Sequence, residues 1–140
     1  MTRDVITCRA TDTLDFAAQQ MWTYDVGLLP ILDDRGRVVG VLTDRDALMA
    51  AFTRGEPLHA ISVGSTMSAD PCTCSPDDEL STVEAQMRRR QIRRVPVVDD
   101  DRHPVGILSV NDLARGSQRR AEVSAAEVVA TLAAVCAPRL

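Results

Sequence analysis

The sequence predicts an α/β protein made of two β-α-β-β-α repeats packed as a pseudo-twofold pair, with one further helix at the C-terminus. The first observation is an internal repeat. Shifting the chain against itself by 66 positions places Pro30 on Pro96, Asp33-Asp34 on Asp99-Asp100, Val39-Gly40 on Val105-Gly106, Leu42 on Leu108 and Asp46 on Asp112. Upstream, the same shift places Thr7-Cys8 on Thr73-Cys74, Leu14 on Leu80 and Gln20-Met21 on Gln86-Met87, with no gap from Asp4 to Leu48. The second observation is that each copy alternates helix-spaced apolar residues with continuous apolar runs. The third is size: a unit of roughly 55 residues is marginal alone, so two of them should pack together.

Within each copy the elements follow in order. A short extended piece (Val5 to Cys8; Cys72 to Cys74) leads into a helix start. Thr11 is the expected N-cap in the first copy, and Ser75-Pro76 places a proline at the first helical position in the second. Helical spacing follows at Leu14, Ala17, Ala18 and Met21, and at Leu80, Val83 and Met87. Next come apolar strands, Leu28 to Leu32 and Val95 to Val98, whose unbroken hydrophobicity implies sheets covered on both faces. An Asp-, Arg- and Gly-containing turn then leads to second strands, Val38 to Leu42 and Val105 to Leu108. Asp44-Arg45-Asp46 and Asn111-Asp112 open the second helices. Repeat 1 is expected over 1–60 and repeat 2 over 61–122. The C-terminal helix and tail occupy 123–140, starting from the capping-box pattern Ser124-x-x-Glu127 and acting as a flap on the core. Met1 falls on Met67, so the first copy either lacks the lead-in that precedes Met67 or has it upstream.

Composition narrows the function. The chain has 140 residues, 45% hydrophobic and 26% charged, the balance of a folded domain. No apolar run reaches the ~18 residues of a membrane span, and the start has no secretory h-region. The expected location is cytoplasmic. A net charge of −4 argues against nucleic acid or an anionic membrane as partner. All 16 cationic residues are Arg; the absence of Lys excludes a Schiff base or a P-loop. Aromatic residues stop at Phe52, so no base-stacking platform lies in the second half.

Two matching segments could carry a ligand: Gly40-Val41-Leu42-Thr43-Asp44-Arg45-Asp46 and Gly106-Ile107-Leu108-Ser109-Val110-Asn111-Asp112. Each sets a hydroxyl at a strand end and a carboxylate three residues later, in the first turn of a helix. Such a carboxylate can accept two hydrogen bonds from a ribose diol, while the hydroxyl and the helix N–H groups can meet a phosphate. The same spacing is also an ordinary capping box. Spacing alone leaves both readings open.

The ordered set, occurring twice, resembles the CBS domain, and two in tandem resemble a Bateman module. The best-matched pieces are Leu29-Pro30-Ile31-Leu32-Asp33 with Gly40 to Asp46, and Arg93-Arg94-Val95-Pro96-Val97-Val98-Asp99 with Gly106 to Asp112. The resemblance implies a regulatory sensor that binds an adenosine-containing ligand (AMP, ADP, ATP, S-adenosylmethionine or another adenosyl compound) in clefts between the repeats. By position, Asp46 and Asp112 would hold ribose hydroxyls, and Thr43 and Ser109 would contact ribose or phosphate. Backbone near Ile6-Thr7 and Cys72-Thr73 would read adenine, Leu29-Pro30 and Val95-Pro96 would form apolar walls, and Arg45 or Arg94 would neutralise phosphate. It also implies a homodimer joined through the helices, signalling to an unidentified protein partner by conformational or oligomeric change. Asp44 should disfavour a polyphosphate at the first site; Arg93 and Arg94 favour the second. The alternative is a structural adaptor or dimerisation protein whose clefts are vestigial.

Other features point to structure. Arg88-Arg89-Arg90 suits a helix C-terminus. The cysteines and the two histidines, His59 and His103, match no strong metal signature. Cys8 and Cys74 are equivalent, leaving redox sensitivity near each site open. No nucleophile or acid–base pair forms a catalytic constellation, so neither catalytic nor metal-binding residues are expected. Met21, Met87 and Trp22 are expected to pack.

Overall fold

A computed structural model describes residue 1 and residues 3–119 and 124–138 of the chain. It divides into two compact units. The N-terminal unit comprises Asp4–Pro71 and Asp100–Pro104; the C-terminal unit comprises Met1–Arg3, Cys72–Asp99 and Val105–Leu140.

In the N-terminal unit, β1 (Cys8–Arg9) runs parallel to β2 (Leu28–Leu32), which pairs antiparallel with β3 (Val38–Thr43). β3 in turn pairs antiparallel with β4 (Ser68–Ala69), giving the order β1-β2-β3-β4. Leu29, Pro30 and Ile31 are all buried, as a strand covered on both faces requires. The β2–β3 turn is held by the Asp33 carboxylate, which accepts from the N–H groups of Arg35 and Arg37 and from Arg37 Nε, each at 2.9 Å. The Arg37 N–H in particular holds the Asp33 carboxyl below its ordinary range. Gly36, at φ 77°, supplies the left-handed step of this turn.

Helix α1 (Leu14–Tyr24) sends Leu14, Ala17 and Met21 into the core with Leu29, Ile31 and Leu42. Its N-cap is Thr13, not Thr11. The segment after the 3-10 turn Leu58–Ala60 passes alongside the helix start and takes over the role of a side-chain cap. There Leu14 N–H donates to Ile61 O at 2.9 Å and Val63 N–H to Asp12 O at 2.8 Å. Ile61 and Val63 are consequently fully buried, and the segment up to Pro71 belongs to the N-terminal unit. Helix α2 (Asp44–Arg54) follows β3 directly and ends at Gly55 in the left-handed region.

In the C-terminal unit, β5 (Arg94–Val98) and β6 (Pro104–Ser109) form a two-stranded sheet. Cys74 bridges in parallel to Val97, donating to Pro96 O at 3.0 Å and accepting from Val98 N at 2.8 Å. Helix α3 (Leu80–Arg90) begins later than Ser75-Pro76 would place it. Ser75 instead closes a turn: its N–H donates to Asp78 Oδ2 at 2.9 Å and its carbonyl accepts from Asp78 N at 3.1 Å. Helix α4 (Val110–Arg119) follows β6.

The C-terminal helix α5 (Ala125–Val135) starts where the capping pattern places it, with Ser124 Oγ accepting from Glu127 N. It lies across α3 and α4 and buries Val128, Thr131 and Val135, so it is a flap on its unit's core. Among the described residues, no helix is long and apolar enough to cross a membrane. Trp22 departs from expectation: it is 88% exposed, because the inward stripe of α1 is already occupied by Leu14, Ala17 and Met21.

One ionisable group lies beneath α5. Glu84 on α3 is 1% exposed, and Thr131 Oγ1 donates to its Oε2 at 3.4 Å. Burial raises its carboxyl pKa, and neighbouring Glu127 raises it further against the opposing pull of Arg88 and Thr131. A carboxyl raised in the folded state favours folding most below its ordinary value. That contribution is lost as pH rises through the raised folded value. Glu84→Gln should therefore gain stability relative to wild type as pH increases from the acid side to neutral. Urea titrations of both proteins across that range check this; a pH-independent difference would contradict it.

Candidate functional site

The two capping segments form as the spacing requires. In the N-terminal unit, Asp46 N–H donates to Thr43 Oγ1 at 3.1 Å and Thr43 N–H donates to Asp46 Oδ2 at 3.0 Å. In the C-terminal unit, Asp112 N–H donates to Ser109 Oγ at 3.1 Å, and Ser109 N–H and Oγ donate to Asp112 Oδ2 at 2.9 and 3.0 Å. Each box satisfies one helix-start N–H and one strand-end N–H and holds its carboxylate in one orientation. Oδ2 serves the cap in both. Oδ1 of Asp112 lies 3.7 Å from the Met1 amino group.

The strand register gathers the other N-terminal candidates near the same box. Leu28 lies opposite Thr43, Leu29 opposite Leu42 and Pro30 opposite Val41. The parallel pairing of Cys8 with Ile31 sets Thr7 beside Pro30. Asp44 N–H donates to Gly27 O at 3.1 Å, tying the helix start to the approach to β2. In the C-terminal unit Val110 N–H makes the equivalent bond to Arg93 O at 2.9 Å, and Thr73 precedes the Cys74 bridge to β5. Arg94, exposed at the start of β5, is thus close in sequence to the residue that anchors the Ser109–Asp112 turn.

Leu29 and Val95 have no exposed surface and belong to their units' hydrophobic cores, with Pro30 and Pro96 also buried. Their side chains support the site from below. The exposed polar groups beside the boxes differ. The N-terminal box is flanked by Asp44 and Arg45, whose N–H donates to Asp44 Oδ1 at 2.8 Å. The C-terminal box has uncharged Val110 and Asn111 in those positions and Arg93-Arg94 where the first repeat has Gly27-Leu28. The second box therefore offers the more favourable surroundings for an anion.

Two methionines were not foreseen as part of these sites. A Cβ added at Gly40 would lie 2.7 Å from Met67 Sδ and 3.0 Å from Ser68 O; one added at Gly106 would meet Met1 Sδ and Cγ. Each glycine thus admits a methionine across its strand. The alignment of Met1 on Met67 was the available signal. Residues 1–3 lie in the unit of the second repeat, and 66–71 in the unit of the first.

The two equivalent thiols, Cys8 and Cys74, are poorly suited to redox sensing. Burial, reinforced by Asp12, pushes Cys8 up to about 11; burial, reinforced by Asp78 and Cys72, pushes Cys74 up to about 11. Both are protonated at neutral pH and weakly nucleophilic. Among the described residues, no group of three or more His, Cys, Asp or Glu side chains could hold a metal ion.

Comparison with known proteins places these features in a family. A family model for the CBS domain matches residues 1–52 and 62–119. Hypoxic response protein 1 of Mycobacterium tuberculosis is 30% identical over 141 residues, covering 97% of this chain and 94% of its own. The CBS domain pair of protein MJ0100, solved in complex with 5-methylthioadenosine and S-adenosyl-L-methionine, matches with a TM-score of 0.76. Its identity is 26% over 86% of this chain and 94% of its own. CBSX2, solved in complex with AMP, matches with a TM-score of 0.74 at 26% identity, over 85% of this chain and 93% of its own. With a capping box at the same place in both halves of a 66-residue repeat, and the family model matching each half, the chain belongs to the CBS domain family and carries two copies in tandem.

Proposed function

We propose that the protein is a regulatory module without chemistry of its own that binds an adenosine-containing ligand of the AMP type. It would act as a homodimer through its helices and signal to a protein partner by a change of conformation or assembly. The observation that carries this reading is the paired boxes, in which Asp46 and Asp112 are held in place before any ligand arrives. Preorganisation of this kind reduces the ordering cost of binding. Complexes of MJ0100 with S-adenosyl-L-methionine and of CBSX2 with AMP support the choice of ligand class.

In this reading each aspartate accepts hydrogen bonds from a ribose diol through Oδ1. Thr43 or Ser109 and the N–H groups of the helix start meet the ribose or phosphate. The backbone at Thr7 or Thr73 borders the adenine, with Leu29-Pro30 and Val95-Pro96 as the packed support. Arg94 offsets phosphate charge at the second site, which takes phosphorylated ligands in preference to the first. Arg45 does so at the first, against the opposing charge of Asp44.

A thermal-shift panel of AMP, ADP, ATP and S-adenosylmethionine, followed by isothermal titration, tests this. Ligand at a hundredfold excess over Kd adds about 2.7 kcal/mol to folding stability, a midpoint shift of several degrees. Asp112→Ala should abolish most of the AMP-induced shift and Asp46→Ala less of it. The readout is the ligand-induced change, since either variant also lowers basal stability by about 1 kcal/mol through its lost cap. A flat panel at millimolar ligand would reject the sensor and favour the adaptor, a reading the exposed aromatic residues of α1 and α2 also support.

A further inference from the structure

Two polar side chains lie buried in the C-terminal unit, face to face across the contact between α3 and α5: Glu84 and Thr131. The ligand boxes use neither. Three groups converge on the Thr131 hydroxyl. The backbone carbonyl of Glu127 lies 2.9 Å from Thr131 Oγ1, and Glu84 Oε2 and Arg88 Nη1 each lie 3.4 Å from it.

A hydroxyl has one proton to donate and two lone pairs with which to accept. Arg88 can only donate, so it occupies one lone pair. With Glu84 ionised, its carboxylate and the Glu127 carbonyl compete for the single Thr131 proton, and one of them is left facing an oxygen with no hydrogen between. With Glu84 protonated, Thr131 donates across the shorter distance to Glu127 O and accepts from both Arg88 and the Glu84 O–H. Every contact is then a hydrogen bond. The arrangement is complete only with a proton on Glu84.

Charge favours the same state. Among the described residues, the charged groups acting on Glu84 are Glu127 from α5 and Arg88 from its own helix. Arg88 directs its Nη1 to Thr131. From α4, Val110, Leu113 and Ala114 join the surrounding apolar cluster, while Asp112 is held in the capping box and Arg115 is exposed. An ionised Glu84 is thus enclosed by apolar groups with a second carboxylate close by. Burial and Glu127 accordingly hold its carboxyl above the ordinary range.

Helix α5 is the element whose movement relieves this. It rests on α3 and α4 through Val128, Thr131 and Val135, with Gln91 Nε2 donating to Ala134 O and Ala137 O at 3.2 and 3.1 Å. Lifting α5 gives Glu84 access to water, takes Glu127 away from it and breaks no strand pairing. Such an opening is local and costs less than unfolding the unit.

We propose that Glu84 is a proton-operated latch for α5: the helix is held on α3 and α4 while Glu84 carries a proton, and opens more often once Glu84 is ionised. Opening uncovers Val83, Met87 and Leu113, in the unit whose α4 begins at the Ser109–Asp112 box. The latch does not rest on the ligand reading; it needs only the contact between α3 and α5. The closed form binds the proton more tightly than the open form, in which Glu84 has its ordinary affinity. Opening therefore releases a proton between the ordinary and the raised carboxyl values, and the open fraction there rises by up to about tenfold per pH unit. Below the ordinary value the latch is fully engaged, and above the raised value its contribution is lost.

Hydrogen exchange on the full chain, followed by NMR from acid to neutral pH and corrected for intrinsic exchange rates, tests this. Protection of the α5 amides from Val128 to Val135 should fall by up to about tenfold per pH unit within that window, while β5 and β6 keep theirs. Glu84→Gln retains a donor toward Thr131 at every pH, so its α5 protection should not change with pH. Glu127→Gln removes the neighbouring carboxylate and should narrow the window, which keeps the latch testable if Glu84→Gln does not fold. Flat α5 protection in wild type would overturn the latch. So would a wild-type slope that persists in Glu84→Gln, or an unaltered window in Glu127→Gln. Loss of protection in β5 and β6 together with α5 would show the unit opening as a whole, and would overturn it as well.

Discussion

Leu42→Ala is expected to lower the unfolding free energy by about 3 kcal/mol. Leu42 is fully buried on β3, directly opposite Leu29, and both belong to one cluster with Leu14, Ile31 and Ile61. Truncation removes one methine and two methyl carbons from a site enclosed by two strands, a helix and the returning 61–63 segment. None of these can close the gap without breaking backbone bonds such as Leu14 N to Ile61 O. The cavity therefore persists, and its cost adds to the lost transfer energy. Leu48→Ala is the control. The same chemical change on an exposed part of α2 should stay within ~0.5 kcal/mol. Urea denaturation measures both, and a Leu42→Ala loss below ~1 kcal/mol would contradict the packing described.

Val128→Asp should be comparably severe, but confined to the C-terminal unit. Val128 is 7% exposed and clusters with Val83, Met87 and Leu113. A carboxylate there would be desolvated and would add like charge beside Glu84, whose own carboxyl is already raised by burial and by Glu127. The nearby cation Arg88 already bonds Thr131 and offsets Glu84, so the added carboxylate costs about 3 kcal/mol or more. The least costly response is release of α5, since its attachment rests on one face and a few polar bonds from Arg88, Gln91 and Thr131. Hydrogen exchange should show amides of α5 and of the covered side of α3 losing protection, while β2 and β3 keep theirs. Val129→Asp, at a position 65% exposed on the same helix, should leave the pattern unchanged. Identical exchange in the two variants would show that α5 is not seated through Val128.

Much of this architecture can be read in the sequence because its signals are local and occur twice. β2 begins and ends where the apolar run Leu28 to Leu32 does. The Thr43–Asp46 and Ser109–Asp112 boxes close between residues three apart, and Ser124 starts α5 by the same means. Such features depend on neighbours along the chain, so residue type and spacing suffice to determine them. The candidate site was legible in part: its aspartates and hydroxyls belong to a repeated seven-residue pattern, whereas Arg45 aligns with Asn111 and Arg94 with Leu28, so neither arginine is repeated.

What escaped that reading depends on partners distant in sequence. The start of α1 moved to Thr13 because Ile61 supplies the hydrogen bond that a side-chain cap would have given. Trp22 looked like a core residue by type, yet the inward stripe was already filled and left it in water. Leu29 and Val95 looked like walls of a binding site, but their side chains belong to the cores beneath. Met1 and Met67 took their places over Gly106 and Gly40 through exchange of the short lead-in segments between repeats. The sequence by itself determined the repeat, its strands and helices, and the two capped aspartates, because hydrogen bonds within a few residues and hydrophobic periodicity are encoded locally. Tertiary structure alone decided which apolar residues are covered and which stay in water, because burial depends on what else in the folded chain reaches the same place first.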